Sequence, residues 1–290
     1  ARGPSGGRPG VGAAAVVKTR ANGSTKAALA DGAKLTANTL AINASRTTRF
    51  DAVANSVNAS AVGASGIIAK HDVNTGATAA VGNNVTIKTA GDTNLKAVNT
   101  SEKNRNVGNV DDWKDVGDWN LAAAGGGVVS GAAVDCNINV THNTGVTVGN
   151  GSNLTAGHGG TAGSFVADAE SNMTLREKAR INAGGAIAVA DVDSRINATA
   201  DTKIDIGNAA IESETGKIKV GTKNNADLDN RVAADAYGVA GAPAGTAYSN
   251  FNGSNQVNIA EGANLIADHD ISLSAGRDTS GNAGSVNANA

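Results

Sequence analysis

The segment Asn109-Val110-Asp111-Asp112-Trp113-Lys114-Asp115-Val116-Gly117-Asp118-Trp119-Asn120 concentrates the side chains best suited to binding. It holds both tryptophans and four aspartates, in a chain whose aromatics are only 2% of its residues. Trp faces stack on sugar rings, and Asp oxygens take hydroxyls or Ca²⁺. Asp111, Asp112, Trp113, Asp115, Asp118 and Trp119 therefore form the candidate ligand-binding loop. Their spacing matches neither the EF-hand nor the glycine-rich nonapeptide calcium repeat. The plainer and preferred reading is a loop whose Trp residues pack over a neighbouring coil while its Asp residues face water.

Other reactive groups are dispersed. His71, His142, His158 and His269 lie far apart, and the contexts Lys70-His71-Asp72 and Asp268-His269-Asp270 read as solvated turns. No metal pair is expected from them. Cys136 is the single cysteine, so one chain supports neither a disulfide framework nor a Cys-based zinc site. Between Asp135 and Asn137 it is expected to point inward, as a small apolar residue. No Gly-x-Ser-x-Gly elbow is present. The expectation is no catalytic residue, no cofactor and no metal, and a protein that is not an enzyme.

What must position such a loop is a recurring strand-and-turn cassette. Examples are Val81-Gly-Asn-Asn-Val85-Thr-Ile87, Val148-Gly-Asn-Gly-Ser-Asn-Leu154-Thr-Ala156, Ile206-Gly-Asn-Ala-Ala-Ile211 and Ala260-Glu-Gly-Ala-Asn-Leu265-Ile-Ala267, with Gly32-Ala-Lys-Leu35-Thr-Ala37 before them. Pairs such as Leu40/Ile42, Val85/Ile87, Ile138/Val140, Val146/Val148, Ile204/Ile206 and Ile271/Leu273 are two apart, which puts both side chains on one face of a strand. The anchors Leu35, Val85, Leu154, Ile211 and Leu265 lie 50, 69, 57 and 54 residues apart by subtraction. Read as two or three coils per interval, at roughly 20 residues a coil, they predict about 14 coils and a rod about 65–70 Å long. Gly/Ala runs at Ala61–Gly66, Ala122–Gly127, Ala183–Ala186 and Gly238–Ala242 predict a narrow corner where backbones stack closely. Helix fits poorly, and its best candidate is the short stretch Met173–Ala179.

The predicted organisation is an irregular terminus or connection over residues 1–15, then one β-helical repeat domain over 16–290, read as a slice of a longer rod. The chain opens Ala1-Arg2-Gly3-Pro4 with neither Met nor a signal peptide, so an exported protein of this sequence would be a mature segment or fragment. Uncapped end coils would expose strand edges open to end-to-end or lateral self-association. Asn-x-Ser/Thr triplets occur at Asn22, Asn43, Asn58, Asn84, Asn99, Asn139, Asn150, Asn153, Asn172, Asn197 and Asn252. Asn side chains bonding from rung to rung explain this load better than glycan acceptance does.

Composition narrows the function classes. Lys and Arg total 24 and Asp and Glu 26, a net charge of −2, so there is no basic footprint for nucleic acid and no polybasic membrane patch. No stretch approaches the roughly 18 apolar residues of a spanning helix, and membrane insertion is not expected. Small apolar residues, mostly Ala and Val, fill a narrow interior and not a wide one.

Across Leu35–Ala44, Val81–Val98, Val146–Ala156 and Ile259–Ala275 the pattern resembles large bacterial filamentous adhesins. These are the haemagglutinin-repeat and leukotoxin-like surface proteins secreted through an outer-membrane partner. The phrases Gly149-Asn-Gly-Ser-Asn-Leu-Thr-Ala156 and Gly262-Ala-Asn-Leu-Ile-Ala-Asp-His-Asp-Ile-Ser-Leu-Ser-Ala-Gly276 carry it most clearly. The resemblance implies an all-β fold, a right-handed parallel β-helix (solenoid), projecting from a bacterial cell surface. The expected function is structural and adhesive: a stiff extracellular rod presenting loops such as 109–120 and 224–235 to a host or neighbouring-cell surface, glycans included. The alternatives are a β-helical polysaccharide lyase or hydrolase and a trimeric autotransporter segment.

Overall fold

The computed structural model describes residues 2–6, 11–103 and 119–290. Among them every regular element is a strand, and every pairing between named strands is parallel. The chain is a parallel β-helix of five stacked coils. Each coil contributes to each of three sheets.

The first sheet stacks five long strands: β2 (Val11–Leu29), β6 (Val62–Val81), β10 (Val129–Val148), β13 (Ile187–Ile206) and β16 (Ala240–Ile259). The second stacks five four-residue strands: β3 (Lys34–Ala37), β7 (Thr86–Thr89), β11 (Asn153–Ala156), β14 (Ala210–Ser213) and β17 (Asn264–Ala267). The third carries the chain back. Its two complete strands are β12 (Phe165–Gly184) and β15 (Ile218–Tyr237). In the other coils it is split, into β4 (Leu40–Arg49) and β5 (Ala54–Ala59), β8 (Thr93–Lys103) and β9 (Leu121–Gly126), and β18 (Ile271–Ala275) and β19 (Val286–Asn289). Within residues 1–15, expected to be irregular, the described ones are strand: β1 (Arg2–Gly6) pairs with β5, and β2 begins at Val11. Met173–Ala179 and residues 224–235, expected as a helix candidate and a loop, lie inside β12 and β15.

The coil is much longer than the sequence suggested. The register Val62↔Val129↔Ile187↔Ala240 sets coil lengths of 67, 58 and 53 residues by subtraction. Each anchor interval is thus one coil and not two or three. Five strands spaced about 4.8 Å apart span only about 19 Å along the axis, while a twenty-residue strand runs about 65 Å across it. The particle is a wide, shallow stack in place of the narrow rod of 14 coils. Gly and Asn residues also lie inside strands, such as Gly76 in β6 and Gly145 in β10.

Period-two alternation builds the core. In β13, Ala188, Ala190, Val192, Ser194, Ile196, Ala198, Ala200, Thr202, Ile204 and Ile206 are buried, and the alternate residues face outward. The column Leu35–Ile87–Leu154–Ile211–Leu265 runs up the axis in register. It passes through Ile87 and not Val85, which is buried at the preceding turn. Ile87, Leu154 and Ile211 are fully buried, each worth about 1.5–3 kcal/mol of apolar transfer. Leu35 and Leu265, at the ends, are only partly covered.

The Gly/Ala runs close the narrow edge where the third sheet turns back into the first. A Cβ on Gly185 would run into the carbonyl oxygen of Gly127, and one on Gly238 into that of Gly185. Only glycine lets successive backbones stack so closely there. At the opposite corner the turns are tied rung to rung. The Asn83 N–H donates to Asp31 Oδ1 (2.8 Å), the Asn150 N–H to Asn83 Oδ1 (2.9 Å) and the Asn208 N–H to Asn150 Oδ1 (2.8 Å). On the outer face Asn139 donates to Asp72 and Asn197 to Asn139, the stacking expected of the Asn load. Asn58 and Asn99 are buried, which removes both from any set of exposed glycan acceptors. Pro243 sits in β16, a strand paired on one side only, where a missing backbone donor is tolerated.

Candidate functional site

Asp111, Asp112, Trp113, Asp115 and Asp118 lie outside the described residues. The register nonetheless locates their segment. β8 pairs with β12 as far as Lys103↔Leu175, and β9 resumes the pairing at Leu121↔Ala179. Seventeen residues, 104–120, therefore stand where β12 uses three, 176–178. Trp119, the last tryptophan of that segment, is buried, with the Arg180 guanidinium carbon 5.8 Å from its ring centroid. That is the packing role of the plainer reading, because a sugar platform needs an open ring face.

Between the two long sheets the interior is not uniformly apolar. Two hydrophobic clusters are separated by an axial polar seam. In the second coil Thr75 donates to Asn99 Oδ1 (3.2 Å), and Asn99 Nδ2 donates to the Thr75 carbonyl (2.9 Å). In the third, His142 lies between Ser171 and Ser101, with Nδ1 2.8 Å from one hydroxyl and Nε2 2.7 Å from the other. In the fourth, the Thr202 hydroxyl donates to Asn224 Oδ1. The members are satisfied by one another across the sheets, as buried polar groups must be. Burial lowers the His142 pKa to about 4, so the ring is neutral at pH 7.

A second polar seam lies deeper in the first of those clusters, and reactive groups meet there. His71 points inward from β6, Cys136 from β10 on the next coil, and Glu177 from β12 on the facing sheet. All three are buried, and their ligand-type atoms lie within 4.8 Å of one another. One coil further on, Ser194, the register partner of Cys136, donates to Asn230 Oδ1 (2.7 Å). Lys103, also fully buried, places Nζ 2.7 Å from Glu177 Oε2 and 3.8 Å from Asp51 Oδ1, and donates to the Arg176 carbonyl (3.1 Å).

The electrostatics suit a neutral imidazole and a protonated thiol. Burial, then the Lys103 charge, lowers the His71 pKa to about 4, against a smaller opposing pull from Asp72. Burial, then the Glu177 carboxylate, pushes the Cys136 thiol well up. Neither ring nitrogen of His71 has a hydrogen-bond partner, and Glu177 Oε1 has none either. Leaving such a group unpaired costs about 1–3 kcal/mol.

The sequence reading placed these residues differently. His71 was expected in a solvated turn because Lys70 and Asp72 flank it. In a strand those neighbours face outward and the residue between them faces in. His142 is likewise buried, whereas His158 and His269 are exposed. Cys136 does point inward, as expected. The signal that could have turned His71 inward is the period-two alternation across residues 67–73.

No protein-family model, no curated protein and no solved structure matches the chain.

Proposed function

We infer that the chain is a structural, surface-presenting segment of a secreted bacterial fibre, with adhesion its task and no catalysis of its own. The observation that carries this reading is the axial column Leu35–Ile87–Leu154–Ile211–Leu265. Its three inner members are buried and its two outer ones are half-covered, in phase with the rest. β2 and β16, the outermost strands of the long sheet, each have a partner on one side only. An exposed edge with an apolar column beside it is a template for a further coil. A further copy stacking there would lengthen the rod in the same register. The groups with catalytic chemistry in the interior, His71, Cys136 and Glu177, are sealed from substrate, which supports a non-enzymatic role.

In this reading the resemblance to filamentous adhesins supplies the setting, an extracellular bacterial surface facing host or neighbouring cells and their glycans. The residues assigned to contact in this reading are those of the segment 109–120. Negative-stain electron microscopy and sedimentation across a concentration series test it. The expected result is end-to-end rods that lengthen with concentration. Single five-coil particles at every concentration, together with hydrolysis or lysis of a polysaccharide, would overturn the reading in favour of an enzyme.

A further inference from the structure

We propose that His71, Cys136 and Glu177 form an interior binding site for one divalent transition-metal ion of the zinc type, stapling two adjacent coils and both long sheets. The donor set is an imidazole nitrogen, a sulfur and a carboxylate oxygen, with all ligand-type atoms within 4.8 Å of one another. Nitrogen and sulfur donors select zinc-like ions and not Ca²⁺ or Mg²⁺, which prefer oxygen. A second observation points to a ligand independently of the clustering. Both nitrogens of the fully buried His71 lack hydrogen-bond partners, as does Glu177 Oε1, in an interior whose other seam satisfies its polar groups across the sheets.

The charges balance on binding. The Cys136 S–H releases one proton to solvent and its sulfur becomes a thiolate bonded to the ion. His71 binds in its neutral form and releases nothing. The thiolate and the Glu177 carboxylate cancel the two positive charges of the ion. Lys103, which now holds Glu177, keeps a carboxylate partner in Asp51, whose Oδ1 is 3.8 Å from its Nζ. The four charged side chains and the ion sum to zero, which a buried site requires.

All three ligands are sealed from solvent, so loading belongs to folding and not to a finished particle. The test uses the whole chain, unfolded in denaturant with a chelator and refolded with equimolar Co²⁺, a spectroscopic stand-in for Zn²⁺. The expected result is one Co²⁺ per chain, with a sulfur-to-cobalt charge-transfer band. Cys136→Ser should abolish that band while preserving the β circular dichroism. Serine already fills the register-equivalent position at Ser194, so the fold accommodates it. Wild-type protein that refolds with well under one Co²⁺ per chain would overturn the proposal, and so would a band that survives in Cys136→Ser. If Cys136→Ser does not fold, the wild-type stoichiometry and charge-transfer band alone decide. Zn²⁺ added during refolding should raise the unfolding midpoint of the wild type and leave Glu177→Gln less affected. An equal shift in both counts against the site.

Discussion

Acid should destabilise this fold earlier than its carboxylates require, and the buried histidines His71 and His142 are the reason; His142 isolates the effect. Its folded pKa of about 4 lies below the ordinary value of 6.5, because burial disfavours the imidazolium. Above pH 6.5 the ring is neutral in both the folded and the unfolded chain, so its contribution to stability is complete. As pH falls from 6.5 towards 4 the unfolded chain takes up a proton that the folded one refuses, and stability drops. Linkage puts the loss from this one residue at about 2 kcal/mol by pH 5 and about 3 kcal/mol by pH 4, where it levels off. For a chain of this size, with an unfolding entropy of about 0.6 kcal/mol/K, 2 kcal/mol lowers the thermal midpoint by about 3 °C. The assay compares wild type with His142→Gln, whose amide offers a donor and an acceptor to Ser101 and Ser171, at pH 7.5, 6, 5 and 4.5. The wild type should lose more stability than the variant over this range by about the stated amounts. Parallel pH profiles would show that His142 is charged or solvated in the native state, and would refute the buried seam.

Other substitutions probe the packing. Leu154→Ala, in the middle of the axial column, should cost about 2–5 kcal/mol in chemical denaturation. In dilute protein Leu265→Ala, at the open end, should cost well under half of that, and equal losses would contradict the half-covered end coil. Gly185→Ala should destabilise by about 1–3 kcal/mol, because its Cβ meets the Gly127 carbonyl of the coil below. Gly184→Ala, where nothing lies within 4 Å of the added carbon, should be neutral or slightly stabilising by thermal melt.

Much of the architecture was legible because strands write their phase into sequence. Pairs two apart, such as Ile204/Ile206, announced inward faces. The Gly/Ala runs announced the tight edge, and the recurring Gly-Asn turns announced the ladder from Asp31 to Asn208. Coil length was not legible, since a Gly inside a long strand, such as Gly145, looks locally like the turn glycine Gly149. Only the pairing partners distinguish them. The interior cluster was hidden for a related reason. His71, Cys136 and Glu177 come from two coils and two sheets, so sequence spacing carries no trace of their meeting. Charged neighbours such as Lys70 and Asp72 disguise an inward residue as a surface one. Trp119 stood out by its rarity as a candidate for a binding loop, with packing preferred for it; its ring is buried, with Arg180 of the adjacent coil beside it.

The distance between positions 18 and 248 tests the five-coil stack most directly. Lys18, Lys70, Asn137, Arg195 and Tyr248 are successive register partners, and both end residues are exposed. Spin labels on Lys18→Cys/Tyr248→Cys, with Cys136→Ser to silence the native thiol, should report a narrow distance distribution near 19 Å plus the label tethers, four strand spacings. A distance of about 55 Å, the separation required by coils of roughly 20 residues, would contradict the stack.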